Sequence, residues 1–266
     1  MLLPIQTSGS KPPLFFVHGL YGVMCLGPTF ARTFGPDQPL YVSNADGIDG
    51  TRAPIDDLPQ MVRGYVEEIQ QTCPAGPIRV GAMCSGCFAA VEIVRSLQAQ
   101  GRETGPVILA DPPPMPPGVA AQNRRVDRGN PRIERQLYQQ AERALLEHAT
   151  RPYNAMPFEA TDPGELHLAT LAGLSSLVAF AHYVPKPFSG SAALIVSAER
   201  APGFFHPQMP WHKLLPGPRL VHVLPWHHQD LFRSGREAVA RSLKFMLEEA
   251  AAFEIVTESQ EERISA

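Results

Sequence analysis

The chain has 266 residues, of which 44% are hydrophobic and 18% are charged, and its formal net charge is −3. This composition is typical of a folded protein with a sizeable core, and the weak negative charge argues against nucleic acid as the main partner. The N-terminal stretch is broken by Pro4 and turns polar, so it lacks the form of a secretion signal, and no stretch is long and apolar enough to cross a membrane. We therefore expect a cytoplasmic protein whose four cysteines are reduced.

Apolar runs alternate with helical patterns along the chain. The runs are apolar at consecutive positions, which favours strands covered on both faces, as in a parallel sheet. Three amphipathic or apolar stretches predict helices over 58–72, 85–99 and 230–250. The sequence thus predicts an α/β fold: a mostly parallel sheet with helices on both faces. The predicted strands are 14–19, 39–44, 78–83, 106–111, 192–198 and 219–224.

One long interval interrupts the alternation. Residues 112–190 contain no convincing strand, but helical patterns run over 131–149 and 165–183. A long insertion between two strands of an α/β sheet is usually functional. We therefore expect an α/β core made of residues 1–111 and 191–266, with 112–190 inserted as a helical lid.

A cysteine lies at a predicted strand-to-helix turn, in the stretch "RVGAMCSGCF" (79–88). Small residues flank it, with Ala82 two positions before Cys84 and Gly86 two positions after. This is the pattern of a nucleophile elbow, G-x-S-x-G, with Cys in place of Ser and Ala in place of the first Gly. At such a turn the start of the next helix favours a thiolate and a developing oxyanion. The pattern predicts Cys84 as a catalytic nucleophile.

Two other interpretations of this cysteine compete with the first. Cys84 and Cys87 form a C-x-x-C spacing at a helix start, which is typical of a redox pair. Cys84 alone is also compatible with a buried structural thiol. A nucleophile differs from both because it needs a base and a residue that orients the base.

Suitable partners follow other predicted strands. Asp111 ends the strand after the elbow helix, and "PWHHQDLF" (225–232) places His227 and His228 after the last strand. Cysteine, acid and histidine in this order match the chain order of α/β-hydrolases. Each residue alone is also compatible with an ordinary turn or a solvated loop, and either histidine is a candidate base.

The loop "VHGLYG" (17–22) follows the first strong strand. A glycine-bearing loop at that position aims a backbone N–H at an oxyanion, and we assign this donor to Leu20, paired with the N–H of Ser85. The alternative is a plain turn between a strand and a helix.

Several arginines lie within the predicted lid. A solvated loop and helix face explain them, and a docking patch for an acidic carrier protein or a phosphate is the functional alternative. The histidines and cysteines show no paired metal-ligand spacing, and no glycine-rich phosphate loop is present, so we expect neither metal nor nucleotide. The arginines are Arg124, Arg125, Arg128, Arg132 and Arg135.

Four stretches together resemble the thioesterase domains of nonribosomal peptide and polyketide assembly lines. The resemblance covers most of 12–112 and resumes at about 191–232, and it implies an α/β-hydrolase fold with a helical lid. It also implies Cys84 as acyl acceptor, Asp111 as orienting acid and a histidine base. The family usually places apolar residues three and four positions after this histidine, which favours His228 over His227. The stretches are "PPLFFVHGLYG", "FGPDQPLYVSNADGIDG", "MVRGYVEEIQQTCPAGPIRVGAMCSG" and "VILADPPP".

The chain departs from that family by using Cys84, and no carrier-protein sequence accompanies it. We therefore expect a free-standing protein, with an excised domain as the alternative. A free-standing relative with a cysteine resembles the Dieckmann cyclases of tetramate and pyridone pathways. This resemblance implies release of a β-ketoacyl amide from an acyl or peptidyl carrier protein, delivered on a phosphopantetheine arm without any other cofactor. Hydrolysis, macrocyclisation and acyl transfer are the alternatives.

Overall fold

A computed structural model describes residues 1–20, 22–24, 26–113, 163–204 and 211–249, together with positions 132, 135, 136 and 139. Seven strands form one sheet in the order β1-β3-β2-β4-β5-β6-β7. β1 runs antiparallel to β3, and every other neighbouring pair is parallel. The strands are β1 (Leu2–Gln6), β2 (Leu14–Val17), β3 (Leu40–Ser43), β4 (Arg79–Met83), β5 (Val107–Ala110), β6 (Ala192–Ser197) and β7 (Arg219–Leu224).

The six predicted strands are confirmed, and the central ones are buried throughout, as continuous apolar runs require. The edges differ from that expectation. β1 was not predicted, because it is a half-exposed edge strand interrupted by Pro4 and lacks a strong apolar pattern. β7 is the other edge and is only partly buried, so the expectation that both of its faces are covered was wrong.

Helices cover both faces of the sheet. α2 (Leu58–Thr72) begins where Asp57 accepts a hydrogen bond from the Gln60 N–H, and it packs beside α3 (Gly86–Ala99) on one face. α1 (Pro28–Phe34) and α7 (Arg236–Glu248) pack together on the other face. Two apolar layers therefore enclose the sheet and hold the ends of its strands in fixed positions.

The last helix starts later than predicted. α7 begins at Arg236, because residues 228–234 form turns whose N–H groups bond back within the loop, as Asp230 N does to the His227 carbonyl. The irregular loop between β7 and α7, residues 225–235, carries both candidate histidines.

Part of the predicted lid is described. α4 (Pro163–His182) confirms the predicted helix over 165–183 and lies between β5 and β6 in the chain. It crosses the loops after β2 and β3, where a side chain at Gly22 would come within 3.3 Å of the Ala172 Cβ. The predicted helix over 131–149 lies outside the described residues apart from four isolated helical positions, and the limits proposed for the lid remain predictions. Two short helices, α5 (Ala201–Phe204) and α6 (Trp211–Leu214), follow β6.

Candidate active site

The parallel strands bring the sequence-predicted residues to one edge of the sheet. Cys84 follows β4, Asp111 follows β5 and His228 follows β7, while Leu20 follows β2. The carboxyl ends of parallel strands share an edge, which is where ligands bind in open α/β sheets. Residues distant in sequence are therefore assembled into one site.

The turn at Cys84 has the geometry of a nucleophile elbow. Cys84 adopts φ 55°, in the left-handed region that a residue with a Cβ enters only when its surroundings enforce it. A side chain at Gly86 would lie 2.0 Å from the His18 carbonyl oxygen and 3.4 Å from the Ala82 Cβ. The close approach of the loop after β2 thus explains why a glycine follows the cysteine at this spacing.

Asp111 and His228 form a direct hydrogen bond. His228 Nδ1 lies 2.6 Å from Asp111 Oδ2, and both side chains are almost fully buried. The other carboxylate oxygen accepts the Ser197 N–H at 2.7 Å, which orients the acid toward the histidine. Asp111 also has a positive φ, at 50°, so its backbone is held in an uncommon conformation for a residue with a side chain.

The charges of Cys84 and His228 stabilise each other. Burial by itself raises the pKa of the Cys84 thiol, but the charge of His228 and a hydrogen bond to it, with smaller effects of Arg200 and the Ser85 N–H, lower it to about 6. Burial by itself lowers the pKa of His228, but the Cys84 charge and the hydrogen bond to Asp111 raise it to about 9. Near neutral pH the pair is therefore a thiolate beside an imidazolium, which is the reactive form of a cysteine nucleophile.

Asp111 remains ionised beside this pair. Burial favours its neutral form, but the hydrogen bond with His228 and the charge of Arg200 hold the pKa of the carboxyl below its ordinary value. An ionised carboxylate at Nδ1 fixes the ring so that Nε2 is the nitrogen available to the cysteine.

The backbone near Leu20 is fixed by a buried histidine. His18 Nδ1 lies 2.6 Å from the Gly19 carbonyl oxygen, which only accepts, so Nδ1 carries the proton; Nε2 then accepts from the Tyr65 hydroxyl, also at 2.6 Å. The described residues contain no cis peptide bond. The Leu20 N–H therefore points away from the Gly19 carbonyl and His18, as a trans peptide requires.

The second predicted donor lies at the elbow itself. Ser85 is the N-cap residue of α3, directly after Cys84, and its backbone N–H lies in the first turn of that helix, where N–H groups have no partner within the helix. The Cβ position of Gly19 lies 3.5 Å from the Cys84 Cβ, so the loop that carries Leu20 touches the elbow. The structure thus places Leu20 one residue after a contact with the elbow and Ser85 within the elbow, and the role of their N–H groups as donors remains a prediction.

Sequence reasoning missed the residues after β6. Arg200 donates from Nη1 to the Asp111 carbonyl oxygen at 2.7 Å, and its Nε lies 3.5 Å from Asp111 Oδ2. Glu199 Oε2 accepts the His228 backbone N–H at 3.1 Å. The signal that could have revealed them was a pair of charged residues within three positions of the end of β6, at the edge where the other site residues meet.

The structure separates the two candidate histidines. The His227 side chain is 79% exposed and lies 3.5 Å from Glu199, whereas the His228 side chain is 11% exposed and bonds to Asp111. His228 is therefore the histidine that joins the acid and the thiol.

The geometry of Cys87 argues against a redox pair. Its side chain is fully buried and its Sγ lies 3.6 Å from the Ala82 carbonyl oxygen and 3.8 Å from that of Ala110. Burial, together with the charge of Cys84, raises its pKa well above the ordinary value, which leaves it unreactive. Both Cys84 and Cys87 are free thiols.

The remaining predicted features are tested only in part. Arg124, Arg125 and Arg128 lie outside the described residues, while Arg132 and Arg135 are exposed helical positions. Within the described ranges, no three His, Cys, Asp or Glu side chains converge on a point where a metal ion could be held. No helix in this part of the chain has the length and apolarity needed to span a bilayer.

A mostly parallel sheet with a thiol after β4, a carboxylate after β5 and an imidazole after β7 defines an α/β-hydrolase fold. Residues 12–247 match the family model of the thioesterase domain. The chain therefore belongs to the thioesterase domain family, whose members act on thioesters.

Two known synthetases are similar to part of this chain. It is 29% identical over 126 residues to atromentin synthetase of Tapinella panuoides, a match that covers 47% of this chain and 13% of the synthetase. It is 32% identical over 111 residues to a dimodular nonribosomal peptide synthase of Bacillus subtilis, covering 42% of this chain and 5% of the synthase. The chain thus corresponds to a small part of these relatives.

A solved structure agrees with the fold. The NocB thioesterase domain from the nocardicin cluster, in covalent complex with a fluorophosphonate nocardicin G analogue, superposes with a TM-score of 0.65 at 20% identity. The superposition covers 95% of this chain and all of that domain.

Proposed function

We propose that this protein releases an acyl or peptidyl group from the phosphopantetheine arm of a carrier protein through an acyl-enzyme on Cys84, and that release occurs by Dieckmann-type cyclisation. The observation that carries the acyl-enzyme is the arrangement of Cys84, His228 and Asp111, in which the thiol is held ionised by a buried imidazolium. The proposal assigns the acyl acceptor to Cys84, the acid and base to His228, and the orientation of the ring to Asp111.

In the first half-reaction the Cys84 thiolate attacks the carrier thioester carbonyl. The negative charge that develops on the oxygen is assigned to the N–H groups of Leu20 and Ser85. As the tetrahedral intermediate collapses, the bond to the phosphopantetheine sulfur breaks and His228 gives its proton to that leaving sulfur. The products are a thioester on Cys84, a free carrier thiol and a neutral His228.

In the second half-reaction the neutral imidazole acts as a base. A β-ketoamide has an acidic α-carbon between two carbonyl groups, and His228 removes its proton. The enolate carbon attacks the acyl carbon, a carbon–carbon bond closes the ring, and the Cys84 thiolate leaves beside the imidazolium. The site returns to its starting ion pair, so the cycle is balanced in charge and protons.

The use of cysteine favours cyclisation over hydrolysis. A thioester reacts faster than an oxygen ester with carbon nucleophiles, whereas its reactivity with water is not raised to the same extent. The position of α4 supports the same choice, because its Ala172 lies against Gly22 in the loop after β2 and its Leu168 against Gly50 in the loop after β3. An apolar cover limits the access of water to an acyl-enzyme. A tetramate or pyridone ring is the expected product, and hydrolysis is the second candidate.

The test is product analysis from a carrier protein loaded with a β-ketoamide. We expect the cyclic product, with an acyl group of matching mass on Cys84 in the intact protein under rapid quenching. The carrier alone and the Cys84→Ala variant are the controls for spontaneous cyclisation. Free acid as the sole product would leave a hydrolytic thioesterase, and full turnover by Cys84→Ala would exclude the acyl-enzyme.

Cys84→Ser tests the role of sulfur in the choice of product. The hydroxyl is similar in shape, but it stays protonated near neutral pH, whereas a free thiol has a pKa of about 8.5 even before the elbow lowers it. We expect much slower acylation and a ratio of ring to free acid that falls relative to the wild type. An unchanged ratio would mean that the cover of the site, rather than the sulfur, selects the attacking group.

A further inference from the structure

Arg200 contacts both the backbone and the side chain of Asp111. Its Nη1 donates to the Asp111 carbonyl oxygen at 2.7 Å and lies 3.4 Å from the Pro112 carbonyl oxygen. Its Nε lies 3.5 Å from Asp111 Oδ2, the same oxygen that bonds His228 Nδ1 at 2.6 Å. One carboxylate oxygen is therefore shared between a permanent cation and the imidazole.

The position of this arginine is itself fixed. The Arg200 N–H bonds the Ser197 carbonyl oxygen at 3.0 Å and lies 3.3 Å from the Ser197 hydroxyl, and the Arg200 carbonyl accepts from the Phe204 N–H. The side chain is only 21% exposed, so solvent screens its charge less than that of a surface arginine. The guanidinium is thus part of the site and not a surface group that happens to lie near it.

The charge around His228 changes when Cys84 is acylated. In the free enzyme burial is the strongest single influence against the imidazolium, and Arg200 adds to it; the attraction by the Cys84 charge outweighs them only together with the hydrogen bonds of His228 to Asp111 and Cys84. A thioester carries no charge, so this attraction disappears once the acyl group is in place. Asp111 then remains as the group that favours the imidazolium, while burial and Arg200 oppose it.

We propose that Arg200 is a positioning residue that keeps His228 neutral in the acyl-enzyme, by sharing Asp111 Oδ2, so that the ring can accept a proton from the attacking group. This inference rests on the proposed acyl-enzyme at Cys84. A neutral replacement at position 200 would leave the full charge of Asp111 facing the ring. The imidazolium would then persist after acylation and the second half-reaction would stall near neutral pH.

The charged and titratable groups around His228 come from four strand ends. Cys84 faces it from the elbow after β4 and Asp111 from the end of β5. Arg200 and Glu199 face it from the residues after β6, Glu199 through the His228 backbone N–H. The neighbouring His227 side chain points to solvent and is 79% exposed. Of these groups, Arg200 is the cation that opposes protonation of His228 in the acyl-enzyme.

The first test measures His228 without the thiolate. In the full-length Cys84→Ala protein, which imitates the uncharged cysteine of the acyl-enzyme, the His228 ring is titrated by NMR with and without Arg200→Gln. We expect Arg200→Gln to raise the midpoint by about one pH unit, as for loss of a nearby like charge. Arg241→Gln is the matched control, because it removes an equal charge from an exposed pair with Glu237 on α7, and it should leave the midpoint unchanged.

A lysine at position 200 distinguishes the effect of the Arg200 charge from the effect of its hydrogen bonds. Arg200→Lys keeps the cation, but an ammonium group cannot contact the Asp111 carbonyl oxygen and Asp111 Oδ2 through two separate nitrogens. We expect the His228 midpoint of Arg200→Lys to stay close to that of the parent, whereas a purely structural role predicts that Lys and Gln behave alike. A midpoint that is unchanged or lower in Arg200→Gln would overturn the inference. The Lys variant also keeps the test valid if the Gln variant folds poorly.

A kinetic measurement completes the test in the protein with Cys84 intact. A small N-acetylcysteamine thioester of the acyl group loads Cys84, and the decay of the acyl-enzyme is followed against pH by rapid quenching. The midpoint of decay should move upward in Arg200→Gln and not in Arg241→Gln. If no acyl group ever appears on Cys84, the proposed function fails while the NMR titration still decides on Arg200; if the acyl-enzyme forms but neither midpoint moves, only the inference on Arg200 fails.

Discussion

The loop after β2 and the loop after β7 each bury a histidine, but they hold the two rings in opposite charge states. His18 is fully buried between the Gly19 carbonyl and the Tyr65 hydroxyl, and burial lowers its pKa to about 4. His228 is nearly as buried, yet its pKa is raised to about 9 by the Cys84 charge and the hydrogen bond to Asp111. Burial acts in the same direction on both rings, so their neighbours decide the outcome.

The difference matches the tasks of the two loops. A histidine with only neutral partners keeps one tautomer over the whole working pH range, which suits a residue that fixes the peptide before Leu20. A histidine between a thiolate and a carboxylate holds a proton that it can transfer. The same side chain is thus a fixed support in one loop and the proposed acid and base in the other.

The largest effect is expected from removing the proton-transferring ring. His228→Ala should lower turnover on the order of 10³-fold or more, because the thiolate loses its cation and the leaving sulfur loses its proton donor. His227→Ala is the matched control, since its ring is 79% exposed and lies beside Glu199 and not beside Asp111; its turnover should stay within about twofold. Steady-state rates with a loaded carrier protein provide the comparison. The reverse ranking would move the base to His227.

The next effect concerns pH and follows from the ion pair. Alkylation of Cys84 by iodoacetamide needs the thiolate, so its rate should rise with pH through about 6 and then level off. Acylation by a thioester also needs the imidazolium as proton donor, so it should fall again as the pH rises through about 9. In His228→Ala the alkylation midpoint should move up, toward or above the ordinary thiol value of about 8.5. An alkylation midpoint near that value in the wild type would contradict the ion pair.

Much of the fold follows from simple sequence patterns, whereas its edges do not. The buried strands β2, β5 and β6 are short continuous runs of apolar residues, a pattern typical of strands in the middle of a parallel sheet. β1 carries Pro4 and half-exposed side chains, so its pairing with β3 is decided by the partner strand and not by its own pattern. Secondary structure at a sheet edge depends on tertiary contacts that a local reading of the chain does not contain.

The site, too, contains residues that the sequence predicts and residues that it does not. Sequence alone could predict Cys84, Asp111 and His228, because a turn motif and the order of strand ends identify them. Arg200 and Glu199 were missed because their roles depend on how far each side chain reaches across the sheet edge, as the distances to Asp111 and to the His228 N–H show. His18 was missed because its partner Tyr65 lies on α2, 47 positions away.

The smallest effect is expected in the support loop. Tyr65→Phe removes the hydroxyl that donates to His18 Nε2 and leaves that buried acceptor unpaired, which costs about 1–3 kcal/mol of stability. Thermal or urea unfolding measures this loss. Tyr41→Phe, on a half-buried ring stacked on Phe15, is the control and should change stability by less than about 0.5 kcal/mol. Acylation by Tyr65→Phe should slow only several-fold, and an unaffected stability would argue that Tyr65 does not hold His18.

The contact between Gly86 and the His18 carbonyl has a consequence for how the enzyme can diversify. Val17 and Ala82 are partners in the β2–β4 pairing, and the loop and the elbow that follow these strands already touch. The spacing of the two proposed N–H donors, Leu20 and Ser85, is therefore set by the register of two central strands. Segments such as α4 can change in length or composition without altering it, so new substrates are accessible to the scaffold by variation around an unchanged pair of donors.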